Sequence, residues 1–143
     1  MNRQIFSHLT DSAFCTSAPQ PLKIEVTDGP GIGGANHRYE ITGFDTATNP
    51  SATNVMGYAS EYSRTVILFQ NGALREGASA SFNGITHEAL LAIVIDRLES
   101  FQSGPFKCDE NAVALDYVQA ALDALHRRTA EREARNVEGR HSC

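Results

Sequence analysis

The chain changes its hydrophobic period once, near Thr86, and that change limits what it can fold into. Before it, apolar residues alternate with polar ones: Leu22, Ile24 and Val26 against Lys23 and Glu25, then Tyr39 and Ile41 against Arg38, Glu40 and Thr42. A period of two marks a strand with one face toward a core. After it, Leu90, Leu91, Val94, Ile95, Leu98 and Phe101 fall on one stripe at a period near 3.6. Strands gathered first and helices after them predict an α+β fold, a small antiparallel β-sheet followed by a C-terminal two-helix hairpin.

The chain has 143 residues, 41% of them hydrophobic, enough for a single domain with a core. Within residues 1–143 the pattern predicts an N-terminal arm or short edge element over 1–20, the sheet over 21–83, the helical hairpin over 84–135 and a tail over 136–143. The run "TDGPGIGGAN" (27–36) separates two strands and reads as a flexible turn; no helix follows it, as a phosphate-cradling glycine loop would require. "RTVILFQ" (64–70) predicts a third strand. Asn71-Gly72 then signals a tight hairpin whose returning limb, "ALREGASASFNG", would carry a bulge at Gly77.

In the helical half, Thr86 is placed to cap the first helix and Glu88 to complement its dipole, and Gly104-Pro105 ends it. The second helix starts at Pro105 or Asp109 and runs to about Arg135. Leu115, Val118, Leu122 and Leu125 recur at heptad-like spacing, with Ala114 and Ala121 beside them, small enough for another helix to approach closely.

Charge and motifs narrow the chemistry. A formal net charge of −5 argues against a DNA or RNA polymer as partner, because phosphate-backbone binders carry a basic excess. The longest apolar run, Ala89 to Ile95, is far short of the roughly 20 residues that span a bilayer, and "MNRQIFSHLTDSAFC" has no apolar leader core; the expectation is a cytosolic protein with no membrane partner. Cys15, Cys108 and Cys143 form neither a disulfide framework nor a zinc set, so no metal and no cofactor are expected. Cys108 reads as a packing residue, and His87 and His126 as solvated. Walker, zincin and nucleophile-elbow motifs are missing, and only "HLT" at His8 fits the tripeptide that a two-histidine phosphodiesterase needs twice.

What remains suits binding. Phe101 offers a π face, Asn111 an amide that both donates and accepts, Arg127, Arg128 and Arg132 forks that match phosphate, and Arg38 a further cation on a strand. Each also has an ordinary structural explanation: Phe101 completes an apolar stripe, Asn111 lies in a first helical turn and the arginines end a helix. The residues alone favour that plainer explanation.

The segments "HRYEITGFD", "ILFQNG", "NGITHEALLAIVIDRLESFQSGPFKCDENAVALDYVQAALDALHRRT" and "RNVEG" resemble the first-described family of Thoeris anti-defence proteins, small phage and prophage proteins whose hairpin is similar to that of anti-CBASS sponges. The resemblance covers about residues 36–139. It implies a non-enzymatic sponge that holds intact the cyclic ADP-ribose isomer made by TIR-domain proteins, and in some members cyclic di- or trinucleotides at a second site. It also implies a homodimer, assembling in some members into a hexamer as a trimer of dimers. Carried over by motif, Phe101 stacks the base, Asn111 makes a polar contact, Arg128 meets phosphate, Arg38 adds a contact from the sheet, and Arg75 is assigned to the second site. A hydrolase of the same signal, or a phage structural or adaptor protein, are the alternatives. On one continuous helix Asn111 and Arg128 stand about 25 Å apart. They can meet one small ligand only if a second copy of the helix runs antiparallel to the first, which makes the hairpin the dimerising element.

Overall fold

A computed structural model of the chain describes residues 3–5, 22–52, 64–72 and 81–139, with side chains as far as Arg135. Arg75, Gly77, His8, Cys15 and Cys143 lie outside the described residues. The chain divides into two compact units, Met1–Ile85 and Thr86–Cys143, at the point where the hydrophobic period changes.

The first unit holds a four-stranded antiparallel sheet whose strands follow one another in chain order: β1 (Arg3–Gln4), β2 (Lys23–Val26), β3 (Arg38–Thr42) and β4 (Arg64–Leu68). The short edge element allowed by the first residues is β1, paired through Arg3 with Val26. Because strand side chains alternate, register decides each face. Val26, Tyr39 and Ile67 lie in one row across β2, β3 and β4, and Ile24, Ile41 and Thr65 in the next. This is the apolar face. Val26, 3% exposed, is its centre, and the Tyr39 ring meets the Phe69 ring edge-on with centroids 5.7 Å apart. The opposite face carries Glu25, Glu40 and Val66 in one row and Lys23, Thr42 and Arg64 in another.

Residues 27–37 do form a turn, and one carboxylate organises it. Asp28 accepts from the backbone N–H groups of His37 and Arg38, each at 3.1 Å, while the Asn36 amide donates back to the Asp28 carbonyl at 2.8 Å. The turn closes on itself through Gly31 N–H to the Ala35 carbonyl at 2.8 Å, and Gly34 takes φ +86°. Gly31 stands beside the His37 ring, which a Cβ at that position would meet. Partial desolvation pushes the Asp28 carboxyl up, but the Arg38 and His37 amides, the His37 ring and the Asn36 side chain together hold it below its ordinary value of 3.8.

The Asn71-Gly72 signal resolves differently from the tight hairpin it suggests. In a two-residue turn the Gln70 N–H would bond Ala73; here it donates to the Ile85 carbonyl at 2.9 Å, and Ile85 N–H donates to Leu68, so that Ile85 pairs with Phe69 in parallel. Asn83 completes the clasp. Its side chain accepts from Asn71 N–H at 2.8 Å and donates to the Asn71 carbonyl at 2.7 Å, and its own N–H donates to the Gln70 side chain at 2.8 Å. Gly84 is required here, since a Cβ would lie 2.6 Å from the Gln70 nitrogen.

The second unit is the hairpin of α1 (His87–Gln102) and α2 (Asp109–Gly139). Thr86 caps α1 as expected, its hydroxyl accepting from Ala89 N–H at 3.2 Å. Leu91, Ile95 and Leu98 of α1 and Leu115, Val118, Leu122 and Leu125 of α2 are the half-buried stripes of a helix pair. The apolar stripe of α1 is wider than that contact. Val94 and Phe101, expected within it, are each 41% exposed, and no residue of α1 is buried.

Two outcomes test this construction. Gly84→Ala lowers the stability of the sheet unit by about 2 kcal/mol, because the methyl group meets backbone that cannot yield, and the urea midpoint falls accordingly. Asp28→Asn separates from the wild type in a pH-dependent way. A depressed carboxyl pKa contributes stability above its unfolded value and loses it as pH falls through the folded value. The difference in Tm between the two proteins is therefore largest at neutral pH and shrinks as pH drops below 3.8.

Candidate functional site

The corner between α1 and α2 is fastened by side chains rather than by apolar packing. Ser103 N–H donates to the Glu99 carbonyl at 3.0 Å and Gly104 N–H to the Phe101 carbonyl at 3.2 Å, which satisfies two of the last carbonyls of α1. The Gln102 side chain then reaches over the turn to accept from Cys108 N–H at 3.0 Å. Cys108 serves as the cap of α2: its sulfur accepts from Asn111 N–H at 3.4 Å and its carbonyl from Ala112 N–H at 3.2 Å. It is exposed, so the packing role expected of it gives way to a capping one.

This fastening sets the two hairpin residues that the sequence singled out at the corner. Phe101 occupies the last turn of α1 with its ring 41% exposed, and the Arg97 guanidinium stands 5.7 Å from the ring centroid on the same helix. Asn111 lies half-buried in the first turn of α2. An exposed aromatic ring with a cation beside it and an amide across a short turn is an arrangement able to stack a planar base and bond to a polar edge. The outer side of the corner is a shallow open concavity lined by Asp109, Glu110, Val113 and Ala114. The sequence singles out neither Arg97 nor Gln102, and it marks Cys108 for packing rather than for the cap it forms. Arg97 sits four residues before Phe101, a spacing that was available as a signal.

Arg128 is elsewhere. The helix is continuous from Asp109 to Gly139, which keeps Arg128 about 25 Å along the axis from Asn111. With 31 residues against the 16 of α1, α2 runs roughly 20 Å beyond its neighbour, and Arg127, Arg128, Arg132 and Arg135 all lie in or near the overhang. Each of these arginines is exposed.

The free face of α2 has its own pattern. Val113 (53% exposed), Tyr117 (74%), Ala120 and Ala124 recur at heptad spacing on a side away from the α1 contact. Continuing from Tyr117 in steps of four, three and four leads through Ala121 and Ala124 to Arg128. The large side chains are in the N-terminal half of this face and the small ones in its C-terminal half. Charge divides the same way. Residues 109–125 carry Asp109, Glu110, Asp116 and Asp123 and no Lys or Arg, whereas Arg127, Arg128, Arg132 and Arg135 follow, interleaved with Glu131, Glu133 and Glu138, so that the basic excess is concentrated at Arg127 and Arg128.

In the sheet unit Arg38 is already engaged. Its guanidinium donates to Glu40 at 2.9 Å and to the Thr27 hydroxyl at 2.8 Å. Arg75, assigned to a second site, is outside the described residues. Among the described residues no three His, Cys, Asp or Glu side chains gather into a metal-binding group, and no helix is long and apolar enough to cross a membrane.

Comparison with known proteins meets the hairpin. The family model for the Acb2/Tad1 hairpin domain matches residues 61–130, a span that includes Phe101, Asn111 and Arg128 and leaves out Arg38. Over 73 residues, 51% of this chain, the sequence is 48% identical to Thoeris anti-defense 1 of Bacillus phage SBSphiJ7. The aligned part is 49% of that protein, so the chain spans about half the length of the curated relative it matches. By its exposed aromatic corner and overhanging second helix, and by these likenesses, the hairpin of this chain is similar to the Acb2/Tad1 hairpin domain and to the matched half of a Thoeris anti-defence protein.

Proposed function

We propose that this chain is a non-catalytic anti-defence sponge that sequesters a cyclic ADP-ribose isomer, and that it does so as a dimer in which two copies of α2 lie antiparallel. The observation that carries the reading is the unbroken α2, which keeps Arg128 far from Phe101 and Asn111 of its own chain. A second copy running the other way brings its Arg128 to the first copy's corner, and two-fold symmetry makes two equivalent pockets.

The free face of α2 supports that direction. Antiparallel pairing lays Val113 and Tyr117 of one helix on the alanines at 120, 121 and 124 of the other, large against small, and sets acidic N-terminal halves against basic C-terminal ones. Parallel pairing would stack Tyr117 on Tyr117 and carboxylate on carboxylate. In the resulting pocket Phe101 stacks the base, Asn111 bonds a polar edge, and Arg128 of the other copy neutralises phosphate; Arg38 is a separate ligand-binding cation of the sheet unit. Cyclic di- or trinucleotides are further ligands of a second site that uses Arg75, in a hexamer built as a trimer of dimers. Sequestration acts by mass action in the cytosol of the infected host. A sub-micromolar signal must be held with better than about −8 kcal/mol.

Two measurements test the reading. After incubation with the cyclic ADP-ribose isomer, denaturing the protein returns the nucleotide intact in chromatography, and Arg128→Ala weakens binding about tenfold or more, as expected for loss of a charge-assisted hydrogen bond; a cleaved nucleotide would instead identify a hydrolase. Tyr117→Glu puts a charge on the free face of α2 without touching the α1 contact. It converts the dimer to a monomer in light scattering and removes binding, while helix content by circular dichroism is kept.

A further inference from the structure

We infer that Arg64 is a second phosphate-binding residue beside Arg38, the two guanidiniums being held together over the carboxylate of Glu40 on the polar face of the sheet. The inference rests on the proposed reading that the ligand bears phosphate.

The register brings these three side chains to one face. Arg38, Glu40 and Thr42 alternate along β3, and Arg64, Val66 and Leu68 along β4, with Glu40 opposite Val66 and Thr42 opposite Arg64. Arg64 is therefore the diagonal neighbour of Glu40, within reach of a long side chain. Arg38 donates to Glu40 Oε1 at 2.9 Å and Arg64 donates to the same oxygen at 3.3 Å. One oxygen shared at those distances holds the two donating nitrogens no more than about 6 Å apart, a gap that the oxygens of one phosphate group can bridge. Thr27 fixes Arg38 from its other side at 2.8 Å.

Exposure separates this arrangement from an ordinary surface ion pair. The Glu40 side chain is 19% exposed, against 39% for Arg38 and 62% for Arg64, so an anion approaching the face meets the two forks before the carboxylate beneath them. Two like charges at this spacing repel, and a half-exposed pair of surface arginines would otherwise separate. Glu40 removes that repulsion and leaves the triad one positive charge in excess. Val66 (43% exposed) and Leu68 (48%), opposite Glu40 and Arg38 in the register, add apolar surface to the same face. Glu25, the register partner of Glu40, bounds the site with negative charge on the β2 side and so orients an anion toward β4.

The test uses the full chain and calorimetry with two probes, the cyclic ADP-ribose isomer and uncharged adenosine. Arg64→Ala is expected to weaken the phosphate-bearing probe about tenfold, with Arg64→Lys recovering part of the loss and adenosine affinity unchanged. Lys23→Ala, which removes the same charge from the same face at a position that makes no bond to Glu40, leaves both probes as in the wild type. The affinity lost between about 50 mM and about 500 mM salt is also smaller in Arg64→Ala than in the wild type. If the wild type binds the cyclic probe and Arg64→Ala, folded by circular dichroism, matches Lys23→Ala, the assignment of Arg64 is overturned and the sponge reading stands. If the wild type binds neither probe, the sponge reading falls and takes this assignment with it.

Discussion

The unbroken run of α2 from Asp109 to Gly139 is the constraint on which the rest depends. A helix is rigid over this length, rising about 1.5 Å per residue, so side chains seventeen positions apart cannot bend toward a common small ligand. Everything that secures the corner also secures this separation. Thr86 starts α1, Gln102 ties the turn to Cys108, and Cys108 starts α2 in the direction that carries Arg128 away. The hairpin is thus a rigid frame with an exposed aromatic corner at one end and a cluster of cations near the other.

The same helix pair leaves its apolar surface unfinished. No residue of α1 is buried, and Ile93, Val94, Phe101, Val113 and Tyr117 are all more than two-fifths exposed. Exposed large apolar groups at heptad spacing mark association surfaces when they form a continuous stripe. On α2 the stripe has a direction, large to small along the chain, with an acidic first half followed by the Arg127-Arg128 pair, and self-pairing in the antiparallel sense suits both features at once. On the proposed reading the ligand pocket and the dimer are one structure: the contact that would cover the stripe would also complete the site.

Much of this was legible before any coordinates. Alternation at Ile24/Val26 and Tyr39/Ile41 gave β2 and β3 to within two residues, because period two has no other common solution, and the Thr86 cap stood where a hydroxyl precedes an apolar helical run. The Asn71-Gly72 hairpin was misread because the competing partner is remote: Asn83 and Ile85, more than ten residues on, take the donors that a two-residue turn would use. The glycine-rich turn was read correctly as a turn but not as one built on Asp28, since a carboxylate bonding amides nine and ten positions away has no local signature. At the candidate site, Phe101, Asn111 and Arg128 are assigned by resemblance, and the separation of about 25 Å follows from helix geometry. The pairing of Arg38 with Glu40 and Arg64 needed the register, because it joins strands separated by a long insertion.

The composite pocket can be tested by mixing subunits. Phe101→Ala and Arg128→Ala chains, each deficient in binding the cyclic ADP-ribose isomer, are combined, allowed to exchange and titrated. A pocket shared between chains predicts recovered binding at wild-type affinity with one ligand per mixed dimer, since one of its two pockets then has both Phe101 and Arg128 intact. A mixture that binds no better than its separate components would contradict the account.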